Sequence, residues 1–202
     1  MRGPSLSHPQ AATLSSIRVA TGYHAAVLKV AEDGKGVAFS AASHMPTITA
    51  ADMYITAGKW QYEVLVTRAG RAVLGWTLPE YEGSWEAFQG VGACAASWGF
   101  GFDGRAPAAS HDGKAHAYGA KWSYGDVIGV AVDVEAGTLT YALNGVVVEP
   151  FGVVLPLSVN VPRGSWLAPA VSYRADFSGV LNLGASSFAF PLPGFAPISS
   201  FK

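Results

Sequence analysis

Charge is scarce in this chain. Asp, Glu, Lys and Arg make up 13% of its 202 residues, and 13 basic side chains nearly balance 14 acidic ones, for a net charge of −1. No broad positive field is available to gather phosphates, so general nucleic-acid binding is not expected. Cysteine is almost absent, with Cys94 alone. A single thiol forms neither an internal disulfide nor a multi-thiolate metal site. It agrees with a reducing intracellular compartment, cytoplasmic or nuclear. Long apolar runs are missing as well. A membrane-spanning helix needs about 20 apolar residues, whereas Val146-Val147-Val148 stops at Glu149 and Pro150, and the run at 153–157 contains Pro156. The first ten residues are polar, contain Pro4 and Pro9, and lack the apolar centre of a signal peptide. Asn144, Asn160 and Asn182 are followed at the second position by Val, Pro and Gly, so there is no N-glycosylation sequon. The expectation is a protein outside membranes, a monomer by default, with residues 1–12 as a loose leader and one domain over 13–202.

Hydrophobic residues are abundant, half of the total, which excludes a disordered chain. The 24 glycines and 12 prolines recur at short intervals and break every candidate helix. Between them lie short runs rich in Val, Ile, Thr and aromatics. Trp60-Gln61-Tyr62-Glu63-Val64-Leu65-Val66 alternates, with Gln61, Glu63 and Leu65 sharing a face. Residues 127–133 are more uniformly apolar, as suits a strand covered on both sides. Residues 138–143 alternate again and lead into Asn144-Gly145, the strongest short hairpin signal because both residues tolerate positive φ. Val146-Val147-Val148 is the expected return strand. Many short strands at regular spacing, without an internal repeat, predict an all-β sandwich of two antiparallel sheets.

Catalytic and ligand motifs are weak. Residues 99–104 read Gly-Phe-Gly-Phe-Asp-Gly and match the spacing of the dinucleotide fingerprint. That motif works only between a strand and a helix N-terminus, and here Arg105-Ala106-Pro107 follows. His111 and His116 are five apart, which on one strand would put them on opposite faces; no metal site and no cofactor are expected. No nucleophile elbow occurs. Cys94, among small residues, reads as a packed small hydrophobe. Catalytic residues are therefore expected to be none. Trp60, Trp76, Trp98 and Trp122 read as core side chains, each able to bury roughly 150–250 Å². Asp126 is expected to hold backbone amides at a strand start, and Asn182 to be structural.

Several segments, in order, resemble the SPRY domain, a β-sandwich protein-interaction module. They are Gly58-Lys59-Trp60-Gln61-Tyr62-Glu63-Val64, then Val73-Leu74-Gly75-Trp76, then Val91-Gly92 with Ser97-Trp98-Gly99-Phe100 and Phe102-Asp103-Gly104. Tyr118-Gly119, Trp122 and Gly125-Asp126-Val127-Ile128-Gly129 follow. Asp133, Glu135, Gly137-Thr138-Leu139 and Leu143-Asn144-Gly145 come next, and Leu167-Ala168-Pro169-Ala170-Val171-Ser172 and Val180-Leu181-Asn182-Leu183-Gly184 close the series. The resemblance spans residues 58–190. The stretch 145–169 is longer than the family pattern.

The resemblance implies a concanavalin-like sandwich that binds a protein or peptide ligand through loops at one end. The matching positions hold Ser43, His44, Met45 and Pro46; Trp85 and Phe88; and Tyr173, Arg174, Asp176 and Phe177. Loop aromatics and arginines are common interface anchors. The implied role is non-catalytic recognition, as a substrate-receptor or scaffolding part in ubiquitin ligation or signalling. Two alternatives stand beside it. One is a lectin-like sandwich with Trp85 and Trp166 stacking on sugars. The other is a jelly-roll enzyme, which would need an acid pair or metal site in a concave pocket.

Overall fold

Alternation along the short runs places aromatic and aliphatic side chains on one face of each strand, and those faces meet as two stacked sheets. The computed structural model describes residues 17–21, 26–31, 36–41, 45–50, 53–83, 89–102, 104–147, 149–154 and 158–200. In chain order the strands are β1 (Ile17–Thr21), β2 (Ala26–Val30), β3 (Val37–Ala41), β4 (Thr47–Ala50), β5 (Lys59–Arg68), β6 (Ala72–Thr77), β7 (Ser97–Phe102) and β8 (Ala108–His111). They continue as β9 (Lys114–Ala117), β10 (Val127–Asp133), β11 (Thr138–Leu143), β12 (Gly152–Val153), β13 (Ala168–Tyr173), β14 (Ser178–Asn182) and β15 (Ala196–Pro197). One sheet runs β1-β4-β13-β6-β7-β8-β9 and the other β12-β11-β10-β5-β14-β3-β2, with β15 added in parallel beside β5. Every other strand pairing is antiparallel. The expected all-β sandwich is what forms. Among the described residues there is no α-helix, and no helix long and apolar enough to cross a membrane.

The core lies between the sheets. Tyr62, Val64 and Val66 of β5 face Leu74 and Trp76 of β6, with Trp98 and Phe100 of β7, Ile128 and Val130 of β10 and Tyr141 of β11 in the same cluster. Two buried phenols tie the layers together. The Tyr62 hydroxyl lies 2.8 Å from the Gly75 carbonyl and 3.2 Å from that of Ala170, and Tyr141 donates to the Leu74 carbonyl. Burial pushes both phenols up from their ordinary pKa, keeping them as neutral donors. Three of the four tryptophans expected inside, Trp76, Trp98 and Trp122, are buried; Trp60 is half-buried. Cys94 is partly buried against the core. Asp126 accepts from the Ser123 amide and the Asn144 side chain, and Asn144 accepts from the Val127 amide, which fixes the start of β10.

The Asn144-Gly145 turn forms, with φ of 51° and 78°, but of the expected return strand only Val146 is paired among the described residues. Leu143 bridges Val146. An uninterrupted hairpin would then set Val148 opposite Tyr141, yet Gly152 stands there. Four extra residues loop out before β12. The loop contains Pro150, which has no N–H to donate to a ladder.

Uniform burial of β10 has a specific cause. Its outer face, with Ala131, and Ala142 of β11 are covered by Leu192 and Phe195. Gln61 and Glu63 of β5, the polar face read from the sequence, hold this covering segment by its backbone. Gln61 accepts from the Leu192 amide and donates to the Phe190 carbonyl, while the two Glu63 oxygens accept from the amides of Ala189 and Phe190. Leu65, on the same face beyond the cover, is 40% exposed. Burial raises the pKa of Glu63 against the opposing pull of the Phe190 and Ala189 amides. A carboxyl with a raised folded-state pKa stabilises most below its unfolded pKa of about 4 and loses that contribution as pH rises through the folded value. Thermal melts of the native chain should therefore show a stability loss over this interval that Glu63→Gln lacks. Parallel melting curves across it would contradict the assignment.

Candidate functional site

A cleft of about 390 Å³ lies on the outer face of the seven-stranded sheet. Its floor follows from strand alternation. In β7, Trp98 and Phe100 turn into the core and Phe102 packs against its edge, so Ser97, Gly99 and Gly101 turn outward. Ala108 and Ser110 of β8 pair with Ala117 and Ala115 of β9 on that outer face, and Val73 of β6 pairs with Gly101. The floor is thus glycine, alanine and serine beneath an open space. His116 borders the cleft, but its register opposite the buried Ala109 directs the side chain to the other face.

Two loops make the walls. One is 89–93, which crosses the outer face and is pinned by hydroxyls. The Val91 amide donates to Ser172 Oγ at 2.9 Å, Ser172 Oγ meets Thr47 Oγ1 at 2.7 Å, and Thr47 Oγ1 meets the Tyr81 hydroxyl at 3.2 Å. Gly92 donates to Ser97 Oγ at 2.8 Å. Beneath this wall Met45, Val73, Val91 and Ala170 form a small apolar cluster. Burial raises the pKa of Tyr81, so its hydroxyl stays protonated within the network. The second wall is 104–107, which brings Arg105 and Pro107 to the rim.

The structure brings together two of the three expected recognition loops. Pro46 is buried, and its carbonyl accepts from the Tyr173 amide. Met45 lies under the 89–93 wall. Arg174 and Asp176 are at the surface beside the 69–71 loop: Arg174 donates its amide to the Arg71 carbonyl, and Arg71 Nε contacts Asp176 Oδ2 at 2.7 Å. Burial alone would raise the Asp176 pKa, but the Arg71 side chain and amide outweigh it and hold the carboxyl below its ordinary value. Four candidate residues are buried, Pro46 among them. Met45 is 3% exposed, and Tyr173 and Phe177 are fully buried, with rings 4.7 Å and 5.9 Å from that of Phe39. The Tyr173 and Phe177 side chains serve the core and offer a partner no surface, whereas Met45 lines the cleft. Ser43, His44, Trp85 and Phe88 lie outside the described residues.

Three sequence motifs resolve differently from a ligand site. Of the glycines in the 99–104 stretch, Gly101 lines the cleft, and no helix follows β7 among the described residues. His111 and His116 share a face after all, because the Asp112-Gly113 turn folds β9 back along β8. His111 instead stacks on Trp98 with ring centroids 4.6 Å apart. Among the described residues no group of three or more His, Cys, Asp or Glu could hold a metal ion. Trp166, weighed as a sugar platform, has its ring against that of Tyr54 at 3.8 Å. The sequence reading missed the cleft, although its signal was present: small residues alternate with aromatics from Ser97 to Phe102.

Comparison with known families decides the assignment. The model of the SPRY domain matches residues 59–186, well over half of the chain. The chain belongs to the SPRY family. A SPRY domain is a protein-interaction module, and such domains bind protein partners. This SPRY domain is 32% identical over 148 residues to E3 ubiquitin-protein ligase RKP of Arabidopsis thaliana, covering 73% of this chain and 11% of that protein. It is 27% identical over 139 residues to ATP-dependent RNA helicase Ddx1 of Drosophila melanogaster, covering 68% of this chain and 17% of that protein. The SPRY chain therefore spans less than a fifth of the length of either relative.

Proposed function

We propose that this SPRY domain is a non-catalytic recognition module that binds a peptide segment or partner surface at the cleft and the loops around it. The observation that supports this most is the cleft itself: an open floor without bulky side chains, with the 89–93 wall fixed by buried hydroxyls. Preorganised walls lower the ordering cost of binding. Arg174 and Asp176 extend this surface, and Ser43, His44, Trp85 and Phe88 are further proposed contacts. The domain acts as a monomer and does not bind nucleic acid. The similarity to a ubiquitin ligase supports a role as the substrate-recognition or scaffolding part of such an assembly, inside the cell.

Affinity capture from cells with the native chain, Ala93→Arg and Ala108→Arg tests the site. Both substitutions place a long cation in the cleft at positions that are not fully buried. The expected result is at least about a tenfold loss of specifically captured proteins, as for disruption of an interface centre, with unchanged melting. Equal capture by all three chains would show that partners bind elsewhere.

A further inference from the structure

Asn144-Gly145 is the chain's one Asn-Gly pair; Asn160 and Asn182 precede Val161 and Leu183. Such a pair can react with itself, because glycine has no side chain to hinder attack by its nitrogen on the neighbouring carboxamide. Asn144 is exposed, so water reaches the site. The turn closes without the nucleophile: Leu143 and Val146 exchange both backbone bonds, at 3.3 Å and 2.9 Å, and the Gly145 amide takes part in neither. The carboxamide, in contrast, is held at both ends. Asn144 Oδ1 accepts from the Val127 amide at 2.8 Å, and Nδ2 donates to Asp126 Oδ1 at 2.8 Å. Both partners belong to the start of β10, so the reactive carbon is held on that side and must leave two bonds before it can turn to Gly145. Asp126 is itself fixed, since its Oδ2 accepts from the Ser123 amide at 2.6 Å. A carboxylate therefore stands against the very group that deamidation would turn into a second carboxylate.

We propose that Asn144 is a deamidation site guarded by Asp126 and Val127, and that its conversion is a one-way switch that loosens this end of the β10–β11 pair. The Gly145 nitrogen gives its proton to a base from solvent and bonds to Asn144 Cγ. The bond from Cγ to Nδ2 breaks, and the nitrogen leaves as ammonia after taking a proton from solvent. One water then opens the cyclic imide at either carbonyl, leaving aspartate or isoaspartate. Water enters, ammonia departs, and nothing is oxidised or reduced. Either product loses the donor to Asp126 and sets a carboxylate against it, and like charges directly opposed destabilise a sheet. Isoaspartate also lengthens the backbone between Leu143 and Val146. The turn supports the covering segment: a Cβ on Gly145 would stand 2.9 Å from the Phe190 ring, and the Phe190 backbone is held by Glu63 and Gln61. Loosening should therefore spread to that cover. The site lies on the eight-stranded sheet, not on the cleft face, and stands whatever binds at the cleft.

The test incubates the whole chain and a synthetic peptide of residues 138–147 in mildly alkaline buffer and follows Asn144 by peptide mapping and mass spectrometry. The folded chain should convert at Asn144, with Asn160 and Asn182 intact, and the peptide at least about threefold faster, the net worth of one hydrogen bond. Asp126→Asn keeps an acceptor for the Ser123 amide but no longer accepts from Asn144, so conversion in that folded chain should also rise at least about threefold. Asn144→Asp, which imitates one product, should melt below the native chain and exchange faster at the Ala189 and Phe190 amides. Adding Asp126→Asn to it returns a donor to the pair and should recover most of that loss. One substitution thus speeds the reaction in one chain and repairs its consequence in the other, which a general loss of turn stability would not do. An intact Asn144 in the folded chain after the peptide has fully converted would overturn the site. Equal conversion rates in the native and Asp126→Asn chains would overturn the guard. Native-like melting of Asn144→Asp, or no recovery in the double variant, would overturn the switch.

Discussion

Replacing Phe100 by alanine is expected to destabilise the domain by about 3–5 kcal/mol, the usual cost of deleting a fully buried aromatic ring. For a domain of this size that corresponds to a melting point lower by roughly 10 °C. Phe100 is fully buried on the inner face of β7. Its ring meets four others: Tyr118 at 5.3 Å, Trp122 at 5.9 Å, Tyr141 at 5.1 Å and Phe151 at 5.8 Å. Three of these contacts are edge-on, the arrangement aromatic pairs favour. They draw the 118–122 connection and the loop before β12 onto the core, so the cavity left by alanine is bordered by several elements rather than one. Phe100→Leu keeps most of the volume and should cost well under half as much. A loss below about 1 kcal/mol for the alanine variant would mean that the loops collapse into the space, and that the ring cluster does not organise this end of the sandwich.

The sequence carried the sandwich because most of its strands announce themselves locally. Asn144-Gly145 marks a hairpin turn and takes positive φ at both residues, as does Asp112-Gly113, a turn that the sequence reading passed over when it set His111 and His116 on one strand. Asp126 and Asn144 hold the turns they were assigned, and Asn182, read as structural, accepts from the Gly184 amide. The return strand was misplaced because a valine run looks like a strand whether or not it is paired, and pairing is a non-local fact. Tyr173 and Phe177 were misplaced for a different reason. Tyr173 was taken as loop, yet counting by two from the core residue Val171 places it inward, as it is. Phe177 returns to the core after a turn closed by its own amide on the Arg174 carbonyl. Neither the 89–93 wall nor the 189–192 cover was legible, since both depend on single hydroxyl, amide or carboxyl contacts between residues more than 80 apart in the chain.

The cleft floor yields the second large effect. Even a single methyl group at Gly75 should destabilise the domain by at least about 3 kcal/mol, the upper range for overpacking. Gly75 pairs with Gly99 across β6 and β7. A Cβ at Gly75 would stand 1.8 Å from the Trp98 carbonyl oxygen and 2.8 Å from the Gly99 Cα. Those are backbone atoms of a central strand, so no side chain can swing aside. The strands would have to part, and Trp98 and Phe100 on the opposite face of β7 would move with them. The Gly75 carbonyl, which the buried Tyr62 hydroxyl reaches from the other sheet, would shift too. Glycine here sets how closely two strands approach, and that closeness fixes both the core beneath and the floor above. Gly75→Ala should therefore lower the melting point by several degrees and weaken partner capture in the same chain. By contrast, Gly125→Ala, where an added Cβ meets nothing within 4 Å, tests the backbone alone. Its φ of 88° makes that change strained but leaves the strand spacing intact, so its folded fraction should capture normally. Gly75→Ala melting within a degree of the native chain would contradict the close approach on which the cleft floor depends.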